Sequence, residues 1–223
     1  GIPGGAAAVV FASGFLDDSQ GPGFGLYVAI AGLPGTTPAI ELPLIDSARV
    51  QVIHNAADPA ADTVDIYIVS TVDDTLIAKV EDFAFRTALP YINLPSNQPM
   101  EILVAPKNST SVNDAIATFP ADLETGETYV VIANGVLTPA NFTANPDAVS
   151  IGFDLYINGQ GRLVGQNGSS DVDVLVFHGA TDAPTVDVVA RGVGTLIDDL
   201  SYTDFQGYAN HICRAGRGCH RLA

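Results

Sequence analysis

The chain has 223 residues, a formal net charge of −16, 22 glycines and 14 prolines. This length is sufficient for one large domain or two smaller ones with an ample core. The acidic balance makes nucleic acid and anionic membrane surfaces poor partners. No run of 18 apolar residues is present, so no transmembrane segment is expected. Only 15% of the residues are charged and lysine occurs twice, a composition that we interpret as typical of an extracellular or cell-surface protein.

Short apolar runs between turn residues predict strands in the central part of the chain. Turn signals such as Asp73-Asp74 and Glu124-Thr125-Gly126 separate these runs. Seven short strands in about 110 residues are typical of an immunoglobulin-like antiparallel β-sandwich, so the predicted fold class is all-β. The predicted strands are 48–53, 64–69, 75–80, 99–105, 115–119, 127–134 and 149–157.

The sequence of segment 48–59 recurs with substitutions in segment 173–184, so the chain contains a tandem repeat. An interval of this length indicates that each unit is a whole domain and not one turn of a short-repeat solenoid. Paired landmarks keep nearly the same spacing: 124 residues from His54 to His178, 122 from Asp65 to Asp187, and 120 from Phe85 to Phe205.

The repeat predicts one complete unit and two part-units. Residues 10–15 resemble 131–136, and residues 24–27 resemble 153–156. We therefore expect 1–46 to be the back part of a unit, 47–165 a complete β-sandwich unit, 170–209 the front part of a second unit, and 210–223 an atypical tail. Because an incomplete sandwich leaves an open sheet edge, we expect 170–209 to pair with 1–46 of the same or a neighbouring chain.

The signature resembles a known family. The run Ala48-Arg49-Val50, with Val52, His54 and Asp58-Pro59, followed by Val64-Asp65-Ile66-Tyr67, is similar to the family called domain of unknown function 4397. Leu76-Ile77 and Phe85, with Leu196-Ile197 and Phe205 in the second copy, match its later motif. The resemblance implies a β-sandwich module, often in tandem, in secreted and surface proteins of bacteria and some archaea. It brings no catalytic residues, and the second copy departs from it at Asp173 and Val189.

Each copy of the repeat joins a histidine to nearby carboxylates. A functional interpretation is a metal or acid–base site built from imidazole and carboxylate. In the structural interpretation, the histidine ends a core strand and hydrogen-bonds the following loop, while an aspartate near proline caps a turn. Repetition in successive modules favours the structural interpretation, because an active site is seldom needed once per module. The residues concerned are His54, Asp58 and Asp65, and His178, Asp182 and Asp187.

Acidic pairs near the predicted turns are candidate calcium ligands, because Ca²⁺ prefers oxygen donors. The candidates are Asp73, Asp74, Asp171 and Asp173. Their spacing matches no EF-hand loop, and solvated turns account for most such residues. No other cofactor is expected.

The tail 210–223 differs from the rest of the chain. It holds three of the nine basic residues, no acidic residue and both cysteines, Cys213 and Cys219. In an oxidising compartment a small Cys213–Cys219 disulfide loop is favoured. Free or intermolecular thiols come next, a zinc site with His211 and His220 third, and haem attachment last.

The chain lacks the sequence motifs of common enzyme classes, including a Gly-x-Ser-x-Gly elbow, a phosphate-binding loop and His-Glu-x-x-His. We therefore expect no enzyme but a structural, adhesive or assembly protein that associates with itself or with other surface proteins, as a head-to-tail filament in its most specific form. The alternative is a module that binds surface glycans or polymers through exposed tyrosines. A hydrolase on this scaffold ranks third. The tyrosines proposed for glycan stacking are Tyr67, Tyr91, Tyr156 and Tyr202.

Overall fold

The computed structural model describes residues 7–15, 19, 21–22, 24–30, 39–42, 46–166, 172–191, 194–214 and 217–221, with the side chains of 40–42 and 209–221 left out. The chain divides into two compact units, Gly1–Asp46 and Ser47–Ala223. The described residues are all-β. Single 3-10 turns lie at Pro59–Ala61, Val112–Asp114 and Pro139–Asn141. Among these residues, no helix has the length and apolar character needed to cross a membrane.

The first compact unit contains one sheet, called here the N-terminal sheet. Its strands are β1 (Ala8–Ser13), β2 (Gly25–Ile30) and β3 (Ile40–Leu42), in the order β1-β2-β3. Both pairs are antiparallel, and Phe11 lies opposite Tyr27. β1 is therefore an edge strand of this sheet. All six of its residues are exposed.

The second compact unit begins with two facing sheets, called here the closed sandwich. One sheet has the order β10-β9-β5-β6; the other has the order β12-β11-β4-β7, with β8 also paired to β4. All strand pairs are antiparallel except β11 with β4, which is parallel. The strands are β4 (Ser47–His54), β5 (Thr63–Ser70), β6 (Leu76–Ala84), β7 (Thr87–Ala88), β8 (Ile92–Pro95), β9 (Met100–Pro106), β10 (Ala117–Ala121), β11 (Thr128–Asn134) and β12 (Asp154–Asn158).

The predicted all-β sandwich is confirmed, and each of the seven predicted strands has a counterpart. The last strand begins at Asp154 and not at residue 149, because Ile151 is buried against Val136 in a loop whose Gly152 forms a single bridge with Val136, beyond the end of β11. The two shortest strands, β7 and β8, carry too few residues to show an alternating pattern.

Alternation along β4 sets the core. Val50, Val52 and His54 are buried between the two sheets, while Arg49 is exposed on the opposite face. This follows from the two-residue period of side chains along a strand. The largest group of mutually packed buried residues is formed with β5, β9 and β11 and includes Val64, Ile66, Ile68, Met100, Ile102, Val104 and Val131.

The remaining strands form what is called here the open half. They are β13 (Val172–Phe177), β14 (Val186–Ala190), β15 (Gly194–Leu200), β16 (Phe205–Arg214) and β17 (Arg217–Arg221). The sheets are β13-β16-β17 and β14-β15. In the sheet of β13, that strand lies at the edge. Val172 is 49% exposed and Val189 66% exposed, whereas Ile197 and Leu200 are buried, so the core of this region is covered only in part.

Strand pairing corrects one equivalence expected from the sequence. The Arg86 amide donates to the His54 carbonyl at 2.7 Å, and the Thr203 amide donates to the His178 carbonyl at 2.8 Å. The counterpart of Phe85 is therefore Tyr202, and the prediction of Phe205 was wrong.

The cause of this error is the length of the second hairpin. Between paired positions it spans 9 residues from Val188 to Ile197, against 14 from Ile66 to Val80 in the closed sandwich. Ile197 thus takes the place of Val80. The predicted match of Leu196-Ile197 with Leu76-Ile77 was wrong for the same reason, since a deletion inside a turn is not visible in the apolar pattern.

Candidate functional site

His54 lies at the end of β4, 1% exposed, with both ring nitrogens engaged. Nδ1 lies 3.3 Å from the Ala56 amide, which donates to it, and Nε2 lies 2.8 Å from the Ala61 carbonyl oxygen. A carbonyl only accepts, so Nε2 carries the proton and the ring is the neutral Nε2–H tautomer. Burial lowers the pKa of His54, although the hydrogen bond to Ala61 and the nearby Asp62 carboxylate oppose this shift.

His178 repeats this arrangement in the open half. The Ala180 amide donates to Nδ1 at 3.3 Å, and Nε2 lies 2.9 Å from the Pro184 carbonyl oxygen. Each histidine also has an aromatic ring at its edge, Phe85 beside His54 and Tyr202 beside His178. Because both nitrogens of both rings bond to backbone, neither ring has a lone pair free for a metal ion or for proton abstraction. The geometry favours the structural interpretation of the two histidines.

The aspartates that follow the histidines differ between the two copies. Asp58 is buried, and its carboxylate accepts from the Ala60 amide at 2.9 Å and from the Leu137 amide at 2.8 Å. The second bond ties the loop after β4 to the segment after β11. Asp182, its counterpart, is exposed. The difference follows from the neighbours, because Leu137 belongs to the back of a unit.

Asp65 and Asp187 show the same contrast. Asp65 is buried and accepts from the Asp82 amide at 2.9 Å, from the Ser109 amide at 3.0 Å and from the Ser109 hydroxyl at 2.6 Å. Burial alone would raise the pKa of Asp65, but these hydrogen bonds outweigh burial and lower it. Asp187 is exposed and keeps the local bond, from the Asp199 amide at 3.0 Å.

These local bonds belong to one repeated β-bulge. Asp82 has φ 52° and Asp199 has φ 54°, both in the left-handed region. The register of β5 with β6 shifts after Val64, and that of β14 with β15 shifts after Val186. Asp65 and Asp187 thus cap the bulge of the opposite strand, which is a structural role.

The four calcium candidates do not form one site. The Asp73 carboxylate accepts from the Thr75 amide and hydroxyl in an exposed turn, where Asp74 has φ 57°. Asp171 lies outside the described residues. Asp173 is paired to Arg162. Within the described part of the chain, no three His, Cys, Asp or Glu side chains are grouped to hold a metal ion.

The ion pair of Asp173 joins the open half to the closed sandwich. Arg162 Nη1 lies 2.5 Å from Asp173 Oδ2, and the Asp173 side chain is 3% exposed. The hydrogen bond from Arg162 lowers the pKa of Asp173 against the opposing effect of desolvation. The Arg162 guanidinium also lies 4.4 Å from the centre of the Tyr208 ring. The interface is therefore fixed by a charge pair that the sequence repeat does not predict, since the first copy has Arg49 at the position of Asp173.

A buried polar cluster also joins these two parts, and sequence reasoning missed it. The Asn134 amide is fully buried, 2.8 Å from Asn55 Nδ2 and 3.0 Å from the Tyr202 hydroxyl. Burial is the main cause that raises the pKa of Tyr202 to about 12. A Cβ at Gly179 would lie 2.2 Å from Asn55 Nδ2, so any larger residue there would displace the Asn55 side chain from this cluster. The available signal was the Asn134-Gly135 pair, which ends β11 in a turn.

A cavity of about 250 Å³ lies between the closed sandwich and the open half. Its walls are mainly apolar and aromatic. The described lining includes Ile53, Tyr91, Ile132, Leu175, Phe177 and Phe205. The outer face of β4 and β11 is thus covered by β13 and β16. The closed sandwich and the open half share this layer.

The tyrosines proposed for glycan binding are not all exposed. Tyr67 is 3% exposed, and its hydroxyl lies 2.8 Å from the Ser109 hydroxyl oxygen. Tyr202 is 1% exposed. Neither ring can stack on a sugar, so that part of the prediction was wrong. Tyr91 lines the cavity and Tyr156 packs on Phe177 at 5.4 Å between ring centres. The proposed Cys213–Cys219 disulfide concerns side chains outside the described set.

Comparison of the sequence with models of known protein families and with curated proteins gave no match.

Proposed function

We propose that this chain is a non-catalytic β-sandwich repeat protein of the cell exterior, similar to domain of unknown function 4397, with a structural, adhesive or assembly role. Its assembly unit is the module, and modules are completed by strands from a neighbouring chain in a head-to-tail filament. The proposal follows the repeat, the acidic and lysine-poor composition and the resemblance of the signature.

One observation carries the assembly role. The strand β11 is apolar on both faces, and Val130, Val131 and Ile132 are buried between β5 and β9 on one side and the open half on the other. The N-terminal strand β1 has the same character, yet Val9 is 63% and Val10 57% exposed. A strand with two apolar faces is typical of the interior of a layered structure. An exposed edge strand of this kind is a ready site for strand addition.

The absence of a catalytic role is supported by the chemistry of the signature residues. Both ring nitrogens of His54 and of His178 form hydrogen bonds with the backbone. The carboxylates of Asp58 and Asp65 accept hydrogen bonds from backbone amides. Groups fully engaged in holding loops are poor acids, bases or nucleophiles. The same bonds suit a module that serves as a rigid building block.

Sedimentation velocity tests the assembly role directly. The full chain, studied over about a hundredfold range of concentration, should show a series of species that grows with concentration by mass action. Chains with Cys213→Ser and Cys219→Ser should behave alike, because strand addition needs no disulfide. A single monomeric boundary at every concentration would contradict the assembly role and leave an isolated module.

A further inference from the structure

We infer that β1 of one chain adds to the open edge of β13 in a second copy, in parallel, with Val10 opposite Val176. This inference rests on the proposed assembly role and specifies its contact. It assigns the strand, its direction and its register. The closed sandwich provides the template, because β11 adds to β4 in this way.

The N-terminal pair β1 and β2 reproduces the pairing of β11 with β12 in the closed sandwich. In the closed sandwich, Ile132 lies opposite Tyr156 and Ala133 opposite Leu155. In the N-terminal sheet, Phe11 lies opposite Tyr27 and Ala12 opposite Leu26.

The turns that follow these strands also agree. Gly14 and Gly135 both have φ 96°. The hydrogen bond after each glycine agrees as well. The Phe15 amide donates to the Pro22 carbonyl, as the Val136 amide donates to the Ile151 carbonyl. The strand β1 is therefore a second β11 in register as well as in sequence.

The recipient edge is equally well matched. The strand β4 lies between β11 and the pair β7 and β8, whereas β13 has β16 on one side and is the edge of its sheet on the other. Ile53 lies opposite Ala88 as Phe177 lies opposite Phe205. The free edge of β13 is therefore the edge to which β11 would add. No described strand pairs with this edge, so its amides and carbonyls are available for strand addition.

The pairing of β4 with β11 fixes the new register. Val131 lies opposite Val52, and Ala133 lies opposite His54. The Asn55 amide donates to the Ala133 carbonyl at 2.8 Å. Transferred to the open half, these pairs place Val10 opposite Val176 and Ala12 opposite His178. Since bonding groups alternate along a strand, the Val10 amide then donates to the Leu175 carbonyl, and the Phe177 amide donates to the Val10 carbonyl.

The side chains suit this position. On the β11 pattern, Val10 and Ala12 face the sheet of β14 and β15, and Val9 and Phe11 face the opposite layer. All are apolar, and Val9, Val10 and Phe11 are exposed by 40% or more. Burial of such side chains drives association. The counterpart of β9 is not supplied by the N-terminal sheet, so the outer edge of β14 stays open.

Reach favours a second copy over the same chain. Leu42 lies opposite Leu26, and Leu26 lies opposite Ala12. Since the inferred register places Ala12 opposite His178, Leu42 would lie at the same height along the strands as His178. Ser47 begins β4, seven residues before His54, or about 23 Å along the strand. Gly179 adjoins Asn55, so His178 lies at the far end of β4 from Ser47. Packed sheets are also about 10 Å apart, whereas the link from Leu42 to Ser47 spans at most about 18 Å.

The first test removes one edge donor. Val10→Pro deletes the amide that would donate to Leu175, and proline is tolerated at a free strand edge. The amides of the neighbouring residues Val9 and Phe11 point to the opposite side, toward β2, and Val10→Pro keeps them. The matched control, Val10→Ala, loses the same side chain but keeps the amide. Sedimentation should show a dissociation constant for self-association that is at least about tenfold higher for Val10→Pro than for Val10→Ala. The proline lacks the amide that would donate to Leu175, and its ring would clash with the added strand. Equal association of the two variants would overturn the inferred pairing.

The second test reads the register by disulfide trapping, in chains with Cys213→Ser and Cys219→Ser. A Val10→Cys chain is mixed with a Val176→Cys chain under mild oxidation. Residues opposite each other on neighbouring strands are about 5 Å apart, within disulfide range. The control mixes Val10→Cys with Val174→Cys, two residues out of register and about 8 Å away, beyond the range of an unstrained disulfide. The inference predicts a disulfide-linked heterodimer from the first mixture at least about tenfold faster than from the second.

The outcomes separate the inference from the proposed function. Concentration-dependent assembly with equal trapping in both mixtures would overturn the register and leave the assembly role standing. A monomer at every concentration would contradict both. A chain carrying Val10→Cys and Val176→Cys together should link between chains; an internal disulfide in the dilute monomer would show completion within one chain and overturn the second-copy arrangement.

Discussion

The closed sandwich and the open half begin with the same signature and end with different environments. The His54 and His178 rings make matching pairs of backbone bonds. Asp58 and Asp65 are buried in the first copy, while Asp182 and Asp187 are exposed in the second. The comparison separates what a short segment encodes for itself from what its neighbours supply. Loop geometry and the β-bulge are local, and burial depends on strands that come later in a unit.

Gly135→Ala should have the largest effect on stability. A Cβ at Gly135 would lie 2.3 Å from the Gly152 carbonyl oxygen, at φ 96°. Backbone cannot yield as a flexible side chain can, so we expect a loss of about 3 kcal/mol or more in the free energy of unfolding. Gly194→Ala in the open half is the control, with φ 117° and open space around it, and should cost about 1 kcal/mol. Chemical denaturation measures both, and equal losses would contradict the packed turn at Gly135.

His54→Ala should destabilise the chain more than His178→Ala. Removal of His54 leaves the Ala56 amide and the Ala61 carbonyl without their ring partner inside a complete core, which should cost about 3 kcal/mol. The same change at His178 affects a core that is only partly covered, and about 1 kcal/mol is expected. Thermal unfolding followed by circular dichroism measures the difference. A larger loss at His178 would reverse the comparison.

Asp65→Ala and Asp187→Ala test the contrast between the carboxylates. The Asp65 side chain holds the Asp82 and Ser109 amides inside the protein, so its removal should cost about 2 kcal/mol. The exposed Asp187 keeps one bond, to the Asp199 amide, and its loss should cost below about 1 kcal/mol. Urea denaturation at neutral pH measures both variants. Indistinguishable midpoints would show that the Ser109 bonds contribute nothing.

A smaller effect is expected from pH. The pKa of His54 is lowered in the folded chain from 6.5, so below this pH the unfolded chain binds more protons and stability falls. Above pH 6.5 the His54 contribution is complete. Asp65 acts in the same direction at lower pH, because its pKa is lowered from 3.8. The free energy of unfolding should therefore fall progressively as the pH is lowered below 6.5, because the unfolded chain protonates at His54 before the folded chain does. A His54→Gln variant should lose this part of the slope, and an unchanged slope would contradict the neutral buried ring.

Much of the fold follows from the sequence for physical reasons. Alternation along Ser47–His54 specifies a strand with one core face. Along Thr63–Ser70 the apolar Val64, Ile66 and Ile68 share the core face, and the opposite face is buried as well. The repeat identifies the units. The exact correspondence within the second hairpin does not follow, because a five-residue shortening between Val188 and Ile197 lies in a turn. A turn deletion changes no apolar period.

The polar contacts between the closed sandwich and the open half could not be predicted from the sequence, for a different reason. Asn134 meets Tyr202 across 68 positions, and Arg162 meets Asp173 across the interface with the open half. Pairs of this kind depend on how sheets stack, which local patterns do not contain. The roles of the two histidines were predictable because their partners lie within seven residues of each ring.

Hydrogen exchange along β13 tests the central claim most directly. On the β4 pattern, the amides of Leu175 and Phe177 point to the open edge, and those of Val174 and Val176 point to β16. If β1 of a second copy completes the sheet, exchange at Leu175 and Phe177 should slow as the chain concentration rises, and should stay fast in Val10→Pro. Exchange at Val174 and Val176 should change little. Fast exchange at Leu175 and Phe177 in a fully assembled sample would contradict the account.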